Sequence, residues 1–188
     1  MKDYTKKISS YIDQEKQVLD TISQEDINQV MNLLEEARLN GRRIFTCGNG
    51  GSASTAAHMV CDFNKGVSLN QETKYNFECL SDNVAVMMAI ANDISYDDIF
   101  VIPLQNKLQA GDVLIGISGS GNSENVVRAF AYAREKGAKT IAMTGYSGGK
   151  LKEMADCSLH VNVDNMQIAE DIHLMFNHLM MYTLVDKE

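Results

Sequence analysis

Two pairs of residues could do acid–base or metal chemistry. His58 and Asp62 are separated by four positions, and Glu170 and His178 by eight. On a helix the first pair differs by about 40° and projects from one face. The second differs by about 80° over roughly two turns. Each pair lies in an apolar stretch: Ala56, Ala57, Met59 and Val60 surround one, Ile172, Leu174, Met175 and Phe176 the other. If the two faces meet, two imidazoles and two carboxylates converge, a donor set for tetrahedral Zn²⁺. Desolvated, the same groups are candidate acids and bases. His160, at what reads as an exposed strand end, is expected to be a hydrogen-bonded structural residue. His173 sits about 60° from Glu170 around the helix and borders the site or belongs to the core. Met175, Met180 and Met181 read as core or interface packing.

The glycines say where a ligand would go. Nine of the thirteen fall in three clusters: Gly48, Gly50 and Gly51; Gly116, Gly119 and Gly121; Gly145, Gly148 and Gly149. Each lies at or after a strand-like run and before a helical one. In an open α/β sheet that is the carboxyl edge, where ligands bind. The first loop, Cys47 to Thr55, presents free N–H groups at a helix start and favours an anion. Gly48-Asn-Gly50-Gly-Ser-Ala53 fits the permissive dinucleotide pattern. The acidic partner such a site wants about 20 residues on is misplaced, because Glu72 precedes the second strand. A P-loop is excluded, since no Gly-Lys-Ser/Thr occurs. The second loop carries Ser118, Ser120 and Ser123 on a glycine-flexible backbone. One serine would suffice as a helix cap. Three with two glycines make a phosphate cradle without a lysine.

The intervening rhythm supplies the scaffold. Strand-length runs at 44–47, 75–80, 113–117, 140–144 and 157–161 alternate with helical stretches at 52–64, 83–91, 96–109, 123–136 and 148–154. This predicts βαβ units and a doubly wound, mostly parallel sheet. Two helices precede it. The first, from Tyr4 to about Ile22, has Ile8, Ile12, Val18 and Leu19 on a loose face. The second follows Ser23 as N-cap, with Asp26 at the capping-box position, and stops at Gly41. A long apolar helix over 168–185 closes the pattern.

At 188 residues the chain suits one α/β domain with two leading helices. A net charge of −8 speaks against a broad nucleic-acid surface. It leaves room for a small anion held by backbone amides. Cys47, Cys61, Cys79 and Cys157 form no C-x-x-C pair, no signal-peptide start is evident, and no apolar run reaches transmembrane length. A cytoplasmic protein with reduced thiols is expected.

Gly48-Asn-Gly-Gly-Ser52, Ile117-Ser-Gly-Ser-Gly-Asn-Ser123 and Met143-Thr-Gly-Tyr-Ser-Gly-Gly-Lys150 together resemble the sugar isomerase (SIS) domain family, within it most closely the phosphoheptose isomerases. The likeness runs over nearly the whole chain, including both leading helices and Ala91-Asn-Asp93. It implies a three-layer fold with a five-stranded parallel sheet. It implies a single SIS domain over 1–188, with the helical pair at 1–40 packing in a homotetramer whose sites lie at subunit interfaces. By position, Ser118, Gly119, Ser120 and Ser123 would hold the sugar phosphate. Asn49, Gly50, Gly51, Ser52, Asp93 and Glu170 would line the sugar. His58, Asp62, Glu170 and His178 would hold one Zn²⁺ per subunit, with Asp62 as base, ligand or both, and His178 as acid or its partner.

Four positions depart from the family pattern: Asp62 for glutamate, Gly119 for threonine, Gln167 for aspartate and Glu170 for glutamine. The activity implied is aldose–ketose isomerisation of a phosphosugar, sedoheptulose 7-phosphate to D-glycero-D-manno-heptose 7-phosphate, through an enediol. The alternatives are another phosphosugar, or a non-catalytic scaffold like relatives that associate with the replication initiator DnaA. Neither nucleic acid nor membrane is an expected partner.

Overall fold

The computed structural model describes residues 2–185. Five strands, β1 (Ile44–Gly48), β2 (Phe77–Cys79), β3 (Val113–Ser118), β4 (Lys139–Thr144) and β5 (Cys157–His160), form one sheet in the order β2-β1-β3-β4-β5. All four pairings are parallel, with Ile44 opposite both Phe77 and Val113, and Ser118 opposite Thr144. The predicted doubly wound sheet is thus present. Its strand order reverses between β1 and β3, which opens a crevice between the carboxyl ends of those two strands. The first two glycine-rich loops leave the sheet there.

The helices are α1 (Thr5–Leu19), α2 (Gln24–Leu39), α3 (Gly51–Cys61), α4 (Val84–Asp93), α5 (Val101–Gln105), α6 (Glu124–Glu135), α7 (Gly149–Met154) and α8 (Met166–Leu184). Strand alternation sorts the core into two faces. Ile44, Val113, Ile115, Ile117, Ile141 and Met143 pack with Leu34, Met59, Ile172 and Phe176 from α2, α3 and α8. Phe45, Cys47, Leu114 and Ala142 pack with Ile90, Leu104, Phe130 and Leu151 from α4 to α7. Ser23 caps α2 as expected, accepting from the Asp26 amide at 3.1 Å. Of the face read on α1 only Val18 is buried, while Ile8, Ile12 and Leu19 stay exposed.

Three elements differ from the sequence reading. The helix expected over 96–109 is a single 3₁₀ turn, Tyr96–Asp98, and then the short α5. Pro103 has no N–H to donate to Ile99, so it fits only in a first turn, where that donor is not needed. β2 is shorter than 75–80, because Asn64 brackets its start. Phe77 N donates to Asn64 Oδ1 at 2.8 Å, and Asn64 Nδ2 donates to Phe77 O at 2.9 Å. That side chain satisfies an edge-strand backbone that would otherwise be open. Beyond Cys61, α3 widens into a π-helical turn, Asp62–Val67.

Gly116 in β3 faces α6 with no room for a side chain. A Cβ there would fall 2.7 Å from Val126 Cγ1 and 2.9 Å from Phe130 Cζ. Gly116→Val should therefore destabilise the protein by about 1–3 kcal/mol through overpacking. A denaturant midpoint equal to wild type would contradict that close approach.

Candidate functional site

The first loop begins where β1 ends. A Cβ on Gly48 would lie 2.8 Å from Ser52, so α3 can start at once against the strand end. Gly50, the residue before α3, has φ +55°, a conformation costly for other residues. Asn49 is fixed by a reciprocal pair. Its Nδ2 donates to Asn125 Oδ1 at 2.9 Å, and Asn125 Nδ2 donates back to Asn49 Oδ1 at 3.0 Å. Tyr96 OH donates to the same Asn49 oxygen at 2.8 Å. The serine loop lies opposite. Ser118 Oγ and Ser123 Oγ are 3.0 Å apart, and Ser120 Oγ accepts from the Asn122 amide.

Asn49, Ser52, Ile117, Ser118, Gly119, Ser120, Ser123, Met166 and Glu170 together line a cavity of 170 Å³. A Cβ on Gly119 would lie 3.1 Å from Met166 Cε and closer to its sulfur, so Met166 takes the space a threonine would need. The third glycine cluster is support, not lining. Gly145 N donates to Gly119 O at 2.8 Å, Leu151 N to Gly121 O at 3.0 Å, and Lys150 N to Asn122 Oδ1 at 3.1 Å. Asp93, at the end of α4, is exposed and accepts from its neighbour Asn92. It does not line this cavity.

A second constellation forms where α3 passes α8. His58 Nε2 and His178 Nε2 are 3.1 Å apart. Asp62 Oδ2 is 3.2 Å from the first and 3.8 Å from the second. Tetrahedral zinc with bonds near 2.0–2.1 Å sets its donors about 3.4 Å apart, so this spacing fits a divalent ion with three protein ligands and an open position. Among the described residues these three alone gather as a metal-binding group.

Glu170, expected as the fourth ligand, is not with them. Eight residues along α8 amount to about 12 Å of axial rise. Its carboxylate lies instead against Gly51, at the start of α3. Facing the right way was not enough, because the pair is two turns apart. Its place among the cavity residues matches its other expected location.

Asn177 escaped the sequence reading. It is fully buried and donates to Asp62 Oδ2 at 2.7 Å, orienting that carboxylate. An amide on an apolar helix beside His178 was the available signal. Asn125 and Tyr96 were missed too, since their partner Asn49 is remote in sequence. Of the remaining histidines, His160 Nδ1 pairs with Thr144 Oγ1 at 3.1 Å, and burial lowers its pKa. It is half-buried rather than exposed. His173 is fully buried with neither ring nitrogen partnered, and burial pushes its pKa down to about 4. It lies outside the triad.

A parallel sheet with a hydroxyl- and amide-lined cradle at its switch point, and an imidazole–carboxylate cluster beside it, defines a sugar-phosphate-handling class. Residues 4–145 match the SIS domain, and the chain belongs to that family. It is similar to the phosphoheptose isomerase of Aliarcobacter butzleri, 36% identical over 86% of this chain and 84% of the relative. The phosphoheptose isomerase of Helicobacter pylori strain P12 is 36% identical over 84% and 81%. Among solved structures, the phosphoheptose isomerase of Francisella tularensis superposes with a TM-score of 0.90 at 27% identity, covering 99% of this chain and 100% of that one. The Neisseria gonorrhoeae phosphoheptose isomerase gives 0.89 at 28% identity, covering 97% and 98%.

Proposed function

We propose that the protein is an aldose–ketose isomerase converting sedoheptulose 7-phosphate to D-glycero-D-manno-heptose 7-phosphate. The observation that carries this reading is the His58–Asp62–His178 triad, set along α3 from a three-serine cradle. His58 lies seven helical steps on from Gly51 at the cradle, about 10 Å of helix. A seven-carbon chain extended from its phosphate ester to the carbonyl end has about that length, at roughly 1.2 Å per backbone bond. Ser118, Ser120, Ser123 and the α3 amides hold the phosphate, and Asn49 and Ser52 bind hydroxyls.

In the reaction the ketose loses a proton from C1 to Asp62. The enediol so formed takes that proton back from Asp62 at C2, while His178 moves the hydroxyl proton from O1 to O2. Asp62 can combine two roles because its oxygens differ. Oδ2 faces the imidazoles and Asn177, whereas Oδ1 has no partner among the described residues and is free to take the proton. His58, Asp62 and His178 would hold Zn²⁺. When bound, that ion supplies polarisation of the carbonyl and hydroxyl oxygens. The departures at Gly119, Gln167 and Glu170 leave this chemistry in place.

The triad lies at the protomer surface, with the His58 and His178 side chains 46% and 54% exposed. Ile8, Ile12 and Leu19 on α1 and Val84 and Met88 on α4 are exposed apolar residues. Both features support association into a homotetramer whose subunits close one another's sites, with the leading helices in the interface; a cytoplasmic location belongs to the same proposal. Among the described residues no helix is long and apolar enough to cross a membrane.

The test is a substrate panel of sedoheptulose 7-phosphate, ribulose 5-phosphate and fructose 6-phosphate, run on metal-analysed protein. Turnover of the heptose with one bound zinc per chain is expected, lost on chelation and restored by zinc. Turnover of only a shorter sugar would overturn the substrate. Metal-free protein that binds sugar phosphate without turning it over, and stays inactive when zinc is added, would favour a scaffold.

A further inference from the structure

Tyr96 reaches the cradle from outside it. Its hydroxyl donates to Asn49 Oδ1 at 2.8 Å, yet it is not among the residues that line the cavity. An amide oxygen accepts two hydrogen bonds and an amide nitrogen donates two. Asn49 Oδ1 takes one from Tyr96 and one from Asn125 Nδ2 at 3.0 Å, so it is full. Asn49 Nδ2 gives one to Asn125 Oδ1 at 2.9 Å. That oxygen also accepts from the Val126 amide at 2.9 Å. A backbone N–H can only donate, so it fixes which end of the Asn125 amide faces it, and Asn125 fixes how Asn49 is turned. One N–H of Asn49 is left for a ligand, and no acceptor.

The Tyr96 ring is 56% exposed, so packing does little to hold the phenol in place. Charge holds its turn. Arg128 lies three residues beyond Asn125 on α6. Its Nη1 donates to Asp98 Oδ1 at 3.0 Å, and its Nη2 is 3.3 Å from Asp97 Oδ2. Its Nε donates to Glu124 Oε1 at 3.3 Å, one turn back on α6. The planar guanidinium is thus oriented by its own helix and spans to both aspartates of the Tyr96–Asp98 turn. An isolated exposed ion pair would be worth little, but this one meets three carboxylates.

We infer that Tyr96 and Arg128 are positioning residues for sugar-phosphate binding. Arg128 holds the turn, and the turn brings the Tyr96 hydroxyl to Asn49. Tyr96 fills the acceptor, so that Asn49 meets the ligand as a fixed donor. This rests on the sugar-phosphate reading above.

The experiment is steady-state kinetics and calorimetric binding with sedoheptulose 7-phosphate, with a denaturant midpoint for each protein. The proteins are wild type, Tyr96→Phe, Arg128→Ala, Arg128→Lys and the Tyr96→Phe/Arg128→Ala double variant. Tyr96→Phe removes only a hydroxyl from an exposed ring. It should raise KM and the dissociation constant about fivefold, the worth of one hydrogen bond, and leave the midpoint in place. The loss should fall on KM, with kcat within about twofold of wild type. Arg128→Ala should raise KM about threefold, and Arg128→Lys should recover part of that. The double variant should match Tyr96→Phe alone, because Arg128 acts through Tyr96. In an Asn49→Ala background Tyr96→Phe should add nothing further.

Wild-type KM and affinity in Tyr96→Phe would overturn the inference. So would additive losses in the double variant, which would separate Arg128 from Tyr96. A lowered midpoint with kcat and affinity lost together would make the contacts structural only. If wild type turns over only a shorter sugar of the panel, the substrate reading fails and the same comparison is read on that sugar. If wild type binds no sugar phosphate at all, both readings fall. Wild type alone reports on the functional reading and the variants on this one, so the two failures are distinguishable.

Discussion

Asp62→Asn protein should fold and bind sugar phosphate, yet turn over about 10²–10⁴-fold more slowly, the usual worth of a positioned general base. The loss has two parts. A neutral amide cannot take the C1 proton. It also meets Oδ2's three neighbours, His58 Nε2 at 3.2 Å, His178 Nε2 at 3.8 Å and Asn177 Nδ2 at 2.7 Å, only at a cost. With its oxygen turned to Asn177, the new amide places donors on the proton-accepting side. With its nitrogen turned there, it faces the buried Asn177 donor with another donor.

Binding should survive, because the phosphate cradle lies about 10 Å along α3 from the triad. kcat should therefore carry the loss while KM moves little. Metal content separates the two parts, since a variant that keeps metal but loses turnover has lost the base. Asp62→Glu is the control. It restores the carboxylate with about 1.5 Å more reach, and should recover activity above that of Asp62→Asn. Near-wild-type turnover by purified Asp62→Asn would remove Asp62 from the chemistry and with it the mechanism above.

Much of this site is legible in the sequence, and the reason is periodicity. Strand-length apolar runs separated by helical ones define a parallel sheet, and the sheet's switch point dictates where Gly48–Ser52 and Ser118–Ser123 must meet. The His58–Asp62 pairing follows from helix geometry alone. Legibility failed where the answer depended on translation rather than rotation. An angle put Glu170 with His178, while axial rise puts it with Gly51. It failed also for residues that act on another functional residue. Asn177 and Asn125 carry no spacing signature, and only the packed helices show that they orient Asp62 and Asn49. The third glycine cluster looked like ligand lining because it shares the carboxyl edge. Its amides, at Gly145, Lys150 and Leu151, are engaged in holding the serine loop. The π-helical turn after Asp62 is a backbone choice with no pattern in side-chain types, and π-turns recur at functional sites.

His173→Leu should stabilise the protein and flatten its acid limb. The wild-type imidazole is fully buried and neither ring nitrogen makes a hydrogen bond of proper geometry; the Thr144 backbone only partly offsets the burial, so the apolar side chain gives up little and removes an unmet polar group. At pH 7 the gain should be about 1 kcal/mol. The pH dependence follows from the lowered pKa. Burial drops it from 6.5 to about 4, so between those values the unfolded chain binds a proton that the folded chain refuses. Stability then rises with pH across that window. The contribution is complete above pH 6.5 and lost as pH falls toward 4, a swing of roughly 3 kcal/mol at 1.36 kcal/mol per unit.

His160 is shifted in the same direction by burial, and it survives in the variant. Asp156 and Glu35, whose hydrogen-bond partners lower their pKa values, lose stability in acid in both proteins. Subtracting the two curves of unfolding free energy against pH cancels these shared terms. The difference should slope between pH 6.5 and 4 and run flat above. Parallel curves through that window would mean that His173 is protonated or hydrogen-bonded in the folded protein. Catalysis supplies a second readout, because His173 lies outside the triad and the cradle. The variant should keep wild-type turnover at pH 7 while surviving brief exposure to pH 4.5 better than its parent.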